Sequence, residues 1–134
     1  MTVADQIKFN QAIIAVGSNI QPERYITRAR ELIRNTHQLI RESRFRKTKP
    51  IGYSEQPDFT NGVFLIETAM SEKQLTAWLK ETEARLDRTR TKNRNGPRTI
   101  DLDIVIWNGK VIDQHVYERD FLNQAIRELD SSLL

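Results

Sequence analysis

Apolar and polar positions alternate with two different periods along this chain, and the switches between them outline its elements. Residues 11–16 (QAIIAV) form a short apolar run that fits a buried strand. The run ends at Gly17-Ser18-Asn19, a turn-forming tripeptide, and Pro22 suits the first turn of a helix. Ile26, Ala29, Leu32 and Ile33 then recur at helical spacing, and the pattern fades near Gln38. Residues 39–47 (LIRESRFRK) alternate loosely and carry much charge, which predicts one exposed strand. Residues 48–61 hold Pro50, Gly52, Pro57, Asp58 and Asn61 and predict a long structured loop. Residues 62–69 (GVFLIETA) predict a strand. Ser71 and Gln74 fit a capping box, and Leu75, Trp78, Leu79, Thr82 and Leu86 share one face of the helix behind it. In the next strand strict alternation puts Ile100, Leu102, Ile104 and Ile106 on one face and Asp101, Asp103, Val105 and Trp107 on the other. Asn108-Gly109 is a two-residue hairpin signal that returns the chain into residues 110–113. Leu122, Ala125, Ile126 and Leu129 predict a last helix over residues 121–129.

Strands and helices in that order predict an α+β fold. A ferredoxin-like βαββαβ arrangement is expected, with an antiparallel sheet sandwiched by helices as an α-β-α stack. The 134 residues suit one domain spanning 1–134. No apolar run approaches a membrane span, and the first ten residues (MTVADQIKFN) are too polar for a signal core. With no cysteine, disulfides and thiolate chemistry are excluded. A cytoplasmic protein is expected, without membrane association, and nothing in the sequence points to a protein partner.

A net charge of +3 is small, but its distribution is uneven. Arg85, Arg88, Arg90, Lys92, Arg94 and Arg98 crowd one stretch in which Asp87 is the only acid. Such a cluster either receives an anion or is a solvated basic loop. It carries no interleaved aromatic for base stacking, which argues against nucleic acid. The stretch runs into Gly96-Pro97-Arg98-Thr99-Ile100-Asp101-Leu102-Asp103. On a strand, Asp101 and Asp103 share a face with Cα atoms about 6.5 Å apart. Two carboxylates so close either face solvent as ordinary aspartates or grip a cation. Magnesium takes one or two carboxylates and completes its shell with water and phosphate oxygens. Arginine forks match phosphate oxygens, so the parts suit phosphoryl-type transfer, where positioning and charge neutralisation carry the catalysis. There is no Walker-type phosphate loop and no serine triad. His37 and His115 have no metal-ligand spacing, and His37 reads as structural.

Four blocks together resemble the 6-hydroxymethyl-7,8-dihydropterin pyrophosphokinase family: Gly17-Ser18-Asn19, Thr48-Lys49-Pro50-Ile51-Gly52, Gln56-Pro57-Asp58-Phe59-Thr60-Asn61, and Gly96 to Asp103. They follow the family's order at about its spacing. The resemblance implies transfer of the terminal diphosphate of ATP to a pterin hydroxymethyl group, with release of AMP, in folate biosynthesis. It implies two magnesium ions on Asp101 and Asp103. It makes Arg98 and Arg88 phosphate-contacting catalytic arginines. It puts Glu83, Ile104, His115 and Arg119 with these arginines on the nucleotide side. It implies a pterin pocket of Thr48, Pro50, Ile51, Gly52, Phe59, Asn61 and Phe121. The chain departs from the family at Asn95, where a bulky aromatic is usual, and at Lys80, where a glutamine often stands. It departs again in the shortened stretch from Gln114 to Phe121, which lacks proline. A second reading is therefore a catalytically weakened paralogue that binds a pterin or nucleotide, or acts on another acceptor.

Overall fold

The computed structural model describes residues 8–89 and 96–133. Arg90, Lys92, Arg94 and Asn95 of the basic stretch lie outside the described residues. Among the described residues the strands are β1 (Asn10–Ser18), β2 (Gln38–Glu42), β3 (Arg46–Thr48), β4 (Phe59–Thr68), β5 (Asp101–Trp107) and β6 (Lys110–Val111). The helices are α1 (Pro22–Thr36), α2 (Glu72–Arg85), α3 (His115–Glu118) and α4 (Asp120–Leu129), followed by a 3₁₀ turn, Ser131–Leu133.

The sheet runs β2-β4-β1-β5-β6, with β3 also on β4, and every pairing is antiparallel. Without β3 and β6 this is the expected ferredoxin-like order, in which each βαβ crossover skips one strand position. One core lies between the sheet and helices α1 and α2, built on Ile14, Val16, Ile33, Phe64, Ile66, Leu75, Leu79 and Leu102. A second lies on the opposite face under α3 and α4, built on Ile13, Val63, Val105, Ile106, Leu122 and Ile126. The stack is α-β-α as expected. No helix among the described residues is long and apolar enough to cross a membrane.

The local signals that set α2 and the hairpin are present as read. Ser71 Oγ accepts from Gln74 N at 3.1 Å and Gln74 Oε1 accepts from Ser71 N at 2.9 Å, closing the capping box. Asn108 and Gly109 take positive φ of 47° and 81°, the geometry a two-residue hairpin demands.

Three expectations need correction. The segment 39–47 is two strands, because Ser43 leaves the ladder: its N–H donates to Val63 O at 3.0 Å and its Oγ accepts from Val63 N at 2.9 Å. Phe45 then folds its ring over Gly62, so closely that a Cβ there would meet the ring at 2.8 Å. Strand β4 starts at Phe59, not Gly62, so the expected loop ends earlier and Phe59 and Asn61 belong to the sheet. Strict alternation fails in β5. Ile13 pairs with Ile106 but Ile14 pairs with Ile104, so Val105 is an extra residue in a bulge. Beyond it the faces exchange: Ile106 joins the core under α4, and Trp107 packs on the α1/α2 side.

Helix α4 is pinned at its far end. Glu128 accepts Arg44 N at 2.7 Å and Arg46 Nη2 at 2.8 Å, and Arg41 Nη1 donates to Leu129 O at 3.0 Å. These bonds tie α4 to the β2–β3 corner and hold its near end over the sheet.

Candidate active site

Strand register builds the floor of the site. Gly17 on β1 lies between Asn61 on β4 and Asp101 on β5; one step along the same face, Ala15 lies between Val63 and Asp103. The row Asn61–Gly17–Asp101 spans two strand spacings, about 10 Å. Small residues at Gly17 and Ala15 leave a trough between the amide on one side and the two carboxylates on the other. Gly17 has no room for more: an added Cβ would lie 2.6 Å from Asn61 Oδ1. Asn61 Nδ2 donates to Thr48 Oγ1, which fixes the amide's orientation over the trough.

The trough opens into a cavity of about 530 Å³. Thr48, Ile51 and Phe59 line its β4 side, Arg98 its β5 side, and His115 and Phe121 come from α3 and α4 with Arg119 at the junction between them. Ten of the residues singled out from sequence therefore meet around one space: these seven with Asn61, Asp101 and Asp103. Glu83, Arg88, Ile104, Pro50 and Gly52 do not line it. Ile104 faces the other way, packed on the α1/α2 core, because it alternates with Asp103.

Glu83 and Arg88 stand behind the carboxylates at the edge of β5. Among the described residues that edge has no strand neighbour beside Leu102, since β6 pairs only with Ile106 and Trp107. The side chain of Glu83, 3% exposed, fills the place: its Oε2 accepts Leu102 N at 2.7 Å and its Oε1 meets Arg88 Nη1 at 2.6 Å. Arg88 Nη1 also donates to Asp101 Oδ1 at 3.0 Å, and Arg98 Nη1 donates to Asp101 Oδ2 at 2.8 Å. Lys80 Nζ donates to Asp103 Oδ1 at 3.1 Å.

These partners separate the two aspartates electrostatically. Burial by itself would push the Asp101 carboxyl up, but the guanidinium groups of Arg98 and Arg88 outweigh it and hold the group below the usual aspartate range. Burial pushes Asp103 up, and the neighbouring Asp101 charge adds to that. Burial also raises Glu83, against the opposing hydrogen bond from Leu102 N.

Asn19 is the residue whose part the sequence did not reveal. It is 5% exposed and ties two loops together. Its Nδ2 donates to Gln56 Oε1 at 2.8 Å and to Pro57 O at 3.1 Å; its Oδ1 accepts Arg98 N at 2.8 Å. Its own N–H donates to Arg98 O at 3.1 Å. The turn-forming tripeptide after β1 was the signal available, and it marks a turn without naming what the asparagine holds. His37 is buried as a structural residue, its Nδ1 2.8 Å from Thr68 Oγ1 and its ring edge-on to Trp78 at 4.4 Å.

The family model for 7,8-dihydro-6-hydroxymethylpterin-pyrophosphokinase matches residues 13–131. The chain belongs to this family. The match takes in the floor, the arginines and the α3–α4 wall. Among pyrophosphokinase relatives, the 2-amino-4-hydroxy-6-hydroxymethyldihydropteridine pyrophosphokinase of Haemophilus influenzae is 35% identical over 92% of this chain and 83% of its own length. The enzyme of that name from Bacillus subtilis is 34% identical over 90% of this chain and 78% of its own. The one from Campylobacter jejuni is 38% identical over 75% of this chain and 65% of its own. None of these matches supports the weakened, ligand-binding paralogue.

Proposed function

We propose that this protein transfers the terminal diphosphate of ATP to the hydroxymethyl group of 6-hydroxymethyl-7,8-dihydropterin, giving AMP and the pterin diphosphate. The observation that carries this reading is the in-register row Asn61–Gly17–Asp101 beneath one cavity. A flat heterocycle lying over Gly17 would be read by the Asn61 amide at one edge and would present its hydroxymethyl arm toward the carboxylates at the other. Phe59 and Phe121 flank the same cavity and offer aromatic surface for stacking. Thr48 and Ile51 fit the rim of such a pocket, and Pro50 and Gly52 shape the loop that carries them. On the other side, Arg98, Arg119 and His115 fit a triphosphate and its nucleoside.

Magnesium suits the donor set. Two carboxylates share one strand face, and Asp101 holds its charge through two guanidinium groups. Among the described residues no third acidic or imidazole group joins them in a metal cluster. That matches an ion that takes few protein ligands and fills its shell with water and phosphate oxygens. Asp101 and Asp103 would hold the ion or ions, which would neutralise phosphate charge and orient the acceptor oxygen. The protein's own groups do the rest. Arg98, fixed at its backbone by Asn19, is aimed by its bond to Asp101; Arg88, held by Glu83, backs the same carboxylate. Positioning of this kind accounts for most of what a phosphoryl-transfer site supplies.

The test is direct. Purified protein with ATP, magnesium and 6-hydroxymethyl-7,8-dihydropterin should form AMP and a pterin diphosphate, read by mass spectrometry. Folded protein that releases no AMP with this acceptor retires the proposed substrate.

A further inference from the structure

Lys80 is a residue of α2, on the sheet face opposite the cavity, yet its ammonium reaches around the open edge of β5 to the carboxylates. Its Nζ lies 3.1 Å from Asp103 Oδ1, 3.3 Å from Glu83 Oε2 and 3.4 Å from Leu102 O. With Glu83 accepting Leu102 N, the two side chains supply both hydrogen bonds that a neighbouring strand would give Leu102. The ammonium is thus held in place by the strand edge as well as by charge. Its side chain is 37% exposed, so it has room to swing outward.

Among the described residues, the charges paired along β5 balance. Asp101, Asp103 and Glu83 are carboxylates, and Arg88, Arg98 and Lys80 are the cations paired with them. A bare divalent ion entering this cluster would add two positive charges beside cations already paired with these carboxylates and compete with Lys80 for Asp103. The same ion carried by a triphosphate brings its own negative charge.

We propose that Lys80 is a tethered counter-ion of the carboxylate pair, which weakens binding of a free divalent cation and makes the metal enter together with the nucleotide. It is a positioning residue: it acts on the metal through Asp103. The inference rests on the reading that Asp101 and Asp103 are the metal ligands.

The experiment is a Mn²⁺ titration of the full chain followed by electron paramagnetic resonance of the free ion, with and without α,β-methylene-ATP. Lys80→Met keeps the aliphatic stem and removes the charge. It should bind Mn²⁺ alone about fivefold more tightly than the unaltered protein, the order of one partly exposed ion pair. With the analogue present, the two should agree within about twofold, and Lys80→Arg should keep the weak binding of free ion. Should Lys80→Met fail to fold by circular dichroism, Lys80→Gln serves for the same comparison. Equal or weaker binding of free Mn²⁺ by the folded, charge-free variant overturns the proposal while leaving the enzyme reading in place. If the unaltered protein and Asp101→Asn hold Mn²⁺–analogue equally well, the metal assignment itself fails, and this inference with it.

Discussion

Asn19→Ala would cut the connection between the two sides of the site. The asparagine is 5% exposed, and three side-chain hydrogen bonds of 2.8, 3.1 and 2.8 Å disappear with it. A neutral hydrogen bond contributes about 1 kcal/mol net, and leaving a buried partner unsatisfied costs more. The bonds are part-buried, and water can reach some of the freed groups, so the expected loss is about 2–3 kcal/mol. The backbone bond from Asn19 N to Arg98 O survives, so Arg98 should loosen without leaving. A displacement of about 1 Å at a phosphate-positioning group is enough to lower turnover by about 10²-fold. Urea unfolding followed by circular dichroism gives the stability, and steady-state AMP release gives the rate. Asn19→Asp separates the two sides. It keeps an acceptor for Arg98 N but loses the donors toward Gln56 and Pro57 O, so the pterin KM should rise more than the ATP KM. An Asn19→Ala protein within about 0.5 kcal/mol of the original, with unchanged kcat/KM, would refute the reasoning, since changes of that size are ordinary for surface sites.

Asp101→Asn keeps the shape and removes the charge; kcat should fall by more than about 10²-fold, with the circular dichroism spectrum intact because Arg88 retains Glu83. Turnover near the original level would contradict the metal assignment. Gly17→Ala places a methyl 2.6 Å from Asn61 Oδ1, so the amide must move off Thr48. The pterin KM should rise about tenfold, the scale of one lost substrate hydrogen bond, with little change for ATP; equal effects on both substrates would place Asn61 elsewhere in the reaction. Burial holds His37 below the usual histidine range. Between that lowered value and the ordinary one of about 6.5, the unfolded chain binds more protons than the folded one, so stability falls as pH drops through and below 6.5. Melting temperatures measured from pH 8 to 5 should show this loss, and His37→Gln should flatten it; parallel curves for the two proteins would count against the assignment.

Much of the architecture was legible without coordinates because its signals are local. The capping box at Ser71, the Asn108-Gly109 turn, and the helical stripes through Ile26, Ala29 and Ile33 and through Leu122, Ala125, Ile126 and Leu129 depend on neighbours within a turn or two. The shared face of Asp101 and Asp103 follows from the pleat of a single strand. The roles given to Phe59, Asn61, His115, Arg119 and Phe121 came from resemblance, since no periodicity in those residues points to a cavity.

By itself, then, the order of residues determined where most of the helices and strands lie, which face of the three longer helices is apolar, and that two carboxylates lie side by side behind a run of arginines. Only the tertiary structure decided that Asn61 and Asp101 lie on either side of Gly17 and that Val105 bulges and turns Ile106 toward α4. It also decided that Glu83 and Lys80 supply the hydrogen bonds along the outer edge of Leu102. Periodicity is a property of one segment and records only which side faces inward. Register, bulges and edge contacts arise where distant segments meet, and they are settled by how those side chains pack and pair.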